Sequence, residues 1–489
     1  MDPLLEYHAA TKHSPASVQS SRFTLDWPNK PVPFKVYTSL PPIALPLTFS
    51  ASAPNSLTAI AGSLADADAQ LNLEALARLC YFANGITRVL QRNGQQVPFR
   101  AAACTGALYH TELYLICAEL VDLAAGVYHY GAHDNALRLL RRGDFRGVLS
   151  AAAGDEPSVA QSPVTMVCTS TFWRNAWKYQ ARAYRHAFWD GGTIVANLLS
   201  VAAANGVPAR VVLGFADAAV NDLLDVDPAQ EAAICLISLG RGAPPTTLAP
   251  PVEPMHLPTQ RLSATQVDYP AIIMAHKASS LATPDAVTAW RTATSPPERQ
   301  TDTEWGRPAP SIEQVILRRG SARRFTDAPI ALHQLMAMLT VATTPIPADI
   351  QTQELTQPYV IVNAVEDLTS GAYLFHKAHG KLELLKPGNF RAQASFLDLG
   401  QDLAGQAAIN VYWLVDLSAV LAQLGSRGYR AAQLAAAVEG GKLYLAAYAL
   451  GLGATGLTFF DDDVSRFFGA ANLSVMFLAA VGHSAKRSV

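Results

Sequence analysis

Hydrophobic and polar positions alternate with the same phase in two distant stretches of this chain. The run YLICAELVDLAAGVYHY (114–130) is matched by YVIVNAVEDLTSGAYLF (359–375), at an offset of 359 − 114 = 245. Tyr114, Asp122, Leu123, Gly126 and Tyr128 meet Tyr359, Asp367, Leu368, Gly371 and Tyr373 in one gap-free register. The offset continues through Gly143, Phe145 and Arg146, through RAYR (182–185) against RGYR (427–430), and on to Gly206 against Gly451. Chance similarity of two Ala/Leu-rich segments would match Ala and Leu, whereas Gly, Tyr, Arg and Phe matches in one register indicate duplication.

Each copy predicts the same order of elements. A helix (LEALARLCYFA, 73–83; LHQLMAMLTVA, 332–342) precedes an alternating β run (ELYLICAEL; PYVIVNAV) and a Gly-marked hairpin (GVYHYGAHDNALRLL; GAYLFHKAHGKLELL). A further strand (VTMVCTS; INVYWLV) leads into a long alanine-rich buried helix that stops at Gly206 or Gly451, as glycine C-caps do. A last strand (AAICLISLG; SVMFLAAVG) closes the unit. The expected fold is α+β, a small mixed sheet flanked by helices, present twice. Residues 1–242 and 311–489 form the two domains, packed as an intramolecular pseudo-dimer. The Pro-rich stretch 243–310 reads as linker or surface wrap, within which AIIMAHKASSLA is a candidate docking helix.

Composition narrows the function classes. A length of 489 residues fits two or three domains. A net charge of -2 excludes a general nucleic-acid binder and leaves any anion site to local arrangement. Five scattered cysteines lack zinc or redox spacing and point to a reduced, cytoplasmic setting. No signal peptide and no run of roughly 18 apolar residues is present, so a soluble protein without a membrane partner is expected.

Against this neutral background RRGSARRF (318–325) crowds four arginines around a glycine and a serine. The corresponding stretch of the first copy, LTAIAGSLADADAQL (57–71), has no arginine. Alternation sets Arg319, Ser321 and Arg323 on one side of an extended segment, where two guanidinium forks and a hydroxyl suit a phosphate. The competing reading is a solvated basic face.

The stretch SIEQVILRRGSARRFTDAPIALHQLMAML resembles the opening of FMN-dependent nitroreductases, in which an Arg-x-Ser-x-Arg pattern holds the flavin phosphate. YHAATKHS (7–14), AACTGALYHTELYL (102–115), WKYQARAYRHAFWDGG (177–192) and GLGATGLTFFDDD (451–463) resemble the SagB-type subfamily, which oxidises azolines to azoles in modified peptides. The resemblance implies one FMN per chain, held across the pseudo-dimer. Arg319, Ser321, Arg323, Gly456, Leu457, Thr458, Lys486 and Arg487 would come from the second copy, and Ala103, Cys104, Thr105 and Gly106 from the first. Ala103, Cys104 and His110 depart from the subfamily's usual Pro, Ser and Pro.

Lys178 and Tyr179 match the subfamily's catalytic Lys-Tyr pair, and the second copy lacks it. A lysine base needs a depressed pKa, for which Arg182 and Arg185 are the expected source. Read without the resemblance, these four residues make an ordinary amphipathic surface. Cys104 reads as a small packed residue rather than a nucleophile, and His110, His129 and His133 lack metal-ligand spacing, so no metal is expected. The leading expectation is an FMN-dependent dehydrogenase acting on a peptide-derived azoline, with oxygen reoxidising the flavin. The alternatives are an NAD(P)H-dependent nitro or quinone reductase and a flavin-poor scaffold of a peptide-modifying complex. A monomer and a homodimer are both compatible with the sequence.

Overall fold

The computed structural model describes residues 2–62, 69–92, 94–245, 248–293 and 309–485. Each half builds one sheet. In the first, strands lie in the order Ile43–Ala44, Ala136–Arg142, Gly126–Gly131, Thr111–Cys117, Val164–Thr171, Glu231–Leu239 and Ala209–Val212. In the second the order is Lys381–Pro387, Gly371–His376, Gln357–Val362, Ile409–Val415, Ser474–Gly482 and Gly453–Gly456. Neighbouring strands in both sheets run antiparallel, and parallel pairing enters through isolated bridges such as Val211–Ala348, which joins the halves. A mixed sheet within each half was the expectation; turns and returning helices reverse the chain at each step instead.

The duplication is visible in the strand register. Ile116 pairs Val127 and Thr165 in the first half; Ile361 pairs Ala372 and Asn410 in the second. Register shifts fall at Val127/Tyr128 and at Ala372/Tyr373, again 245 residues apart. The hairpin turns need one left-handed residue, supplied by Asn135 (φ 50°) and by Gly380 (φ 58°).

Two long helices, Ala183–Ala204 and Arg427–Ala449, pack against each other between the halves. Gly192 faces Ala437 and Gly441 faces Ala196. The 245 offset maps each of these residues onto its own partner, the behaviour of residues beside a two-fold axis. A Cβ at Gly192 would stand 2.9 Å from the Ala437 carbonyl carbon, so glycine is what permits the approach. The segment Phe172–Ala204 is long and apolar enough to cross a membrane, but it is core: 94% of its most apolar window is buried.

The same symmetry governs the buried ions. Arg182 and Arg185 donate to Asp461 at 3.0 and 2.6 Å, and Arg427 and Arg430 donate to Asp217 at 2.7 and 2.6 Å. Each half thus offers an arginine pair to an aspartate of the other, and each aspartate is the first residue of a helix, where the dipole favours an anion. Burial alone would raise both carboxyls, yet the paired arginines hold them below the usual carboxylate range.

The N-terminal helix Pro3–Ala10 and the residues after it join the network around Asp461. Arg182 donates to the Thr11 carbonyl, Arg185 to that of His8, and the His13 amide to Asp461 at 2.8 Å. The Pro-rich segment is structured in part: residues 258–262 pair with 32–38, and helix Pro270–Ala278 buries Ile272, Ala275 and His276. Helix Pro284–Thr292 buries Val287 and Trp290.

Candidate functional site

Helix Ile312–Arg318 starts at a capping box of Ser311 and Gln314, and after Arg318 the chain extends. The Ala322 amide donates to the Ala454 carbonyl at 2.9 Å, which lays this segment beside strand Gly453–Gly456. Ala322 is buried, whereas Ser321 and Arg323 on the alternate positions are exposed. Arg319 reaches across to the first half: its Nε donates to the Ala101 carbonyl at 2.7 Å and its Nη2 to the carbonyls of Arg100 and Ala102. Two guanidinium edges are therefore engaged by backbone, and Arg319 is a clasp between the halves with Nη1 left over. Ser321 Oγ lies 3.0 Å from the Tyr444 hydroxyl, which also accepts the Gly456 amide at 3.2 Å. A Cβ on Gly320 would meet the Arg88 guanidinium at 3.6 Å and the Tyr448 hydroxyl at 3.7 Å. Arg323 makes no hydrogen bond or ion pair among the described residues.

Helix Phe172–Tyr179 of the first half faces this segment. Burial, then Lys30, then Arg323 lower the pKa of Lys178, and no carboxylate is among the acting groups. Lys30, Lys178 and Arg323 come from three separate segments, and the first and last each act on Lys178 as like charges. Arg182 and Arg185, expected to depress Lys178, do not: the chain breaks at Gln180 (φ 50°), and both arginines turn to Asp461.

The first-half turn 103–106 is built on Asp190, in the middle of the core helix. The Thr105 amide and hydroxyl donate to Asp190 Oδ1 at 2.9 and 2.6 Å, and the Cys104 thiol to Oδ2 at 3.0 Å. His110 donates from Nε2 to Oδ2 at 2.7 Å and, in that tautomer, accepts from Ser170 on Nδ1 at 2.8 Å. Burial and then Asp190 push the Cys104 thiol up, which makes it an inert packed residue. Cys104, Asp190 and Thr111 line a small cleft with Asn84, Tyr109 and Ile194. Gly106 adopts φ 62° directly under Tyr179, whose hydroxyl lies 2.9 Å from where a Cβ would be. Burial and then Asp190 raise the Tyr179 pKa, keeping its hydroxyl protonated. Cys104 and Thr105 therefore aim their polar groups inward at Asp190, and Gly106 is the turn residue left facing Tyr179.

Asp190 was missed in the sequence; the signal was the pair of departures at Cys104 and His110, which converge on it. Gly456 is exposed, and a Cβ there would meet nothing nearer than the Leu478 carbonyl at 3.8 Å; Leu457 and Thr458 are half-buried beside it. Lys486 and Arg487 lie outside the described residues.

The equivalent place on the other side of the pseudo-axis is closed. Residues 347–349 occupy the positions of 102–104, and there the Val211 amide donates to Pro347, the Asp349 amide to Val211, and the Leu213 and Gly214 amides to the Asp349 carboxylate at 2.8 and 2.9 Å. Helix Pro284–Thr292 seals it, with the Trp290 indole donating to the Leu424 carbonyl at 2.8 Å and Arg291 to Asp349 at 3.4 Å. Gln423 and Leu424 stand in place of Lys178 and Tyr179. Between 102–104 and 455–458, among the described residues, there is no backbone hydrogen bond.

A match to the nitroreductase family covers residues 66–241 and again 316–483, so each half carries the family's pattern. The chain belongs to the nitroreductase family. It is similar over 99% of its length to the crystal structure of a nitroreductase-type protein from Anabaena variabilis, with a TM-score of 0.78, 26% identity and all of that chain covered. A nitroreductase-type protein of Methanocaldococcus jannaschii is 22% identical over 171 residues, 35% of this chain and 81% of the relative. A chain of the E. coli microcin synthetase McbBCD complex aligns with 48% of this chain and 91% of its own length at 20% identity, with a TM-score of 0.30.

Proposed function

We propose that this chain is an FMN-dependent oxidoreductase with one cofactor, seated in the open cleft between the halves. The observation that carries the reading is the asymmetry of the two pseudo-equivalent interfaces: one is zipped shut, and the other keeps unpaired cations beside exposed backbone. The residues present fit the group. Arg323, Ser321 and the free edge of Arg319 would hold a phosphate, and the open backbone at Gly456–Thr458 offers a flat wall to a ring system. Bound there, FMN supplies acceptance and delivery of hydride.

The chain's own residues provide the proton chemistry. Burial, Lys30 and Arg323 favour the neutral amine of Lys178, which makes it a better base than a free lysine. Tyr179, kept protonated, is a hydrogen-bond donor over the Gly106 turn. Asp190 holds that turn through four donor groups on Cys104, Thr105 and His110.

Family membership and the full-length likeness to a nitroreductase-type protein support reduction of nitro or quinone compounds at the expense of NAD(P)H. A second reading, hydrogen removal from an azoline ring of a modified peptide with oxygen as acceptor, is favoured by Lys178 and Tyr179, which one half has and the other lacks. The visible spectrum of the purified protein, with extracted flavin counted per chain, tests the cofactor; a colourless protein supports a scaffold role in a peptide-modifying complex instead. Rapid bleaching of bound flavin by NAD(P)H supports the reductase. Lys178→Ala with flavin retained and turnover lost supports the base, and unchanged turnover rejects it.

A further inference from the structure

We propose that the N-terminal extension forms a substrate subsite for an aromatic acid, with Trp27 as platform for the ring and Lys30 as holder of the carboxylate or sulfonate. The proposal rests on the flavin-dependent reading above and names the substrate class of that site.

The turn Trp27–Asn29 is pinned to the site. The Trp177 indole donates to the Asp26 carbonyl at 2.9 Å, and the Trp27 and Trp177 rings meet edge to face at 5.4 Å. On the other flank Asn29 exchanges hydrogen bonds with Thr265, both at 3.0 Å. Such a turn is ordered, yet Trp27 leaves 64% of its surface in water. An indole held rigidly and left bare offers a large contact area at little conformational cost. Phe23, on the same extension, is also exposed.

A cation is fixed beside this platform, on the turn that Asp26 opens. The Lys30 amide closes the turn onto the Trp27 carbonyl at 3.1 Å, which fixes Lys30 next to the indole, and Lys178 directly follows Trp177. Lys30 is in no ion pair among the described residues. Lys30 and Arg323 both act on Lys178 with no carboxylate opposing them. Arg323 belongs with the cofactor phosphate and Lys178 with the proton chemistry, which leaves Lys30 on the first-half side for a second anion. A cation at a pinned apolar surface is complementary to a ligand that is flat at one end and negative at the other.

The flavin-loaded protein is assayed with NADH as donor and either nitrobenzene or 4-nitrobenzoate as acceptor. The acid should be favoured at least tenfold in kcat/KM, chiefly through KM, and Lys30→Glu should lower that ratio at least tenfold; Trp27→Ala should raise KM for both compounds. Equal use of the two acceptors by the unaltered protein overturns the proposal. So does loss of flavin from Lys30→Glu, which would assign Lys30 to the cofactor phosphate. If neither acceptor is turned over, the reductase reading has failed, and binding still decides the subsite. Benzoate that quenches the fluorescence lost in Trp27→Phe at lower concentration than benzyl alcohol supports it, and equal quenching overturns it.

Discussion

Two interfaces of common descent have been put to opposite uses. On one side of the pseudo-axis, 347–349 joins 211–214 through backbone amides and a buried aspartate, with a linker tryptophan as plug. On the other, 102–104 and 455–458 stay apart, and Arg319 holds the halves together from the rim. A homodimer must build both interfaces from one sequence. Once the halves share a chain, one interface is free to become pure structure and the other keeps a cleft, because changes such as Cys104 against Asp349 no longer act at both places.

The comparison breaks most severely at the reciprocal ion networks. Asp217→Asn and Asp461→Asn each leave two buried arginines without a counter-charge, and each should cost about 3–5 kcal/mol in chemical denaturation. Equal losses confirm the symmetry, and a neutral substitution at either refutes it. Because both carboxyls are held below their ordinary range in the folded chain, their contribution is complete at neutral pH and is lost as pH falls below about 4. Melting temperature against pH should therefore drop in that acid window.

Trp290→Ala removes the plug of the closed side and should cost about 3 kcal/mol of stability, with flavin content per chain unchanged when the open side alone carries cofactor. Gly456→Val probes the reverse: its added atoms point into open space, so stability should hold while flavin content falls at least tenfold. Arg323→Ala should weaken flavin retention by about 10- to 100-fold, the worth of a charge-assisted contact. It should also raise the pKa of Lys178, moving the acid limb of the pH–rate profile upward. The smallest effect is at Gln180, a left-handed residue (φ 50°) where the second half has Gly425 (φ 57°). Gln180→Gly should stabilise the fold by roughly 1 kcal/mol, and a loss of turnover with it would mark the strain as functional.

How far these features were legible depends on their range. The order of elements along the chain, the shared register and the two core helices follow from local alternation and glycine position, and these repeat at a constant offset. The uneven distribution of arginine was equally plain. The hub at Asp190 was not, because Cys104, His110 and Asp190 meet only when a turn, a strand and a helix are assembled. Arg182 and Arg185 misled for a related reason: helical spacing from Lys178 assumed an unbroken helix, and a single left-handed residue at Gln180 redirects them to Asp461, far along the chain. The plug formed by Trp290 was hidden in a Pro-rich segment that read as linker or surface wrap, where the expected docking helix, AIIMAHKASSLA, ends before it.

The tie between His13 and Asp461 spans 448 residues. Protein synthesis proceeds at about 5–20 residues per second, so His13 leaves the ribosome roughly 20 to 90 seconds before the carboxylate that will receive its amide. Arg182 and Arg185, made later, wait roughly 14 to 56 seconds for the same counter-charge. The first half therefore waits, partly assembled, for the second to emerge, and a nascent chain halted before residue 461 should be far more open to proteases than the finished molecule.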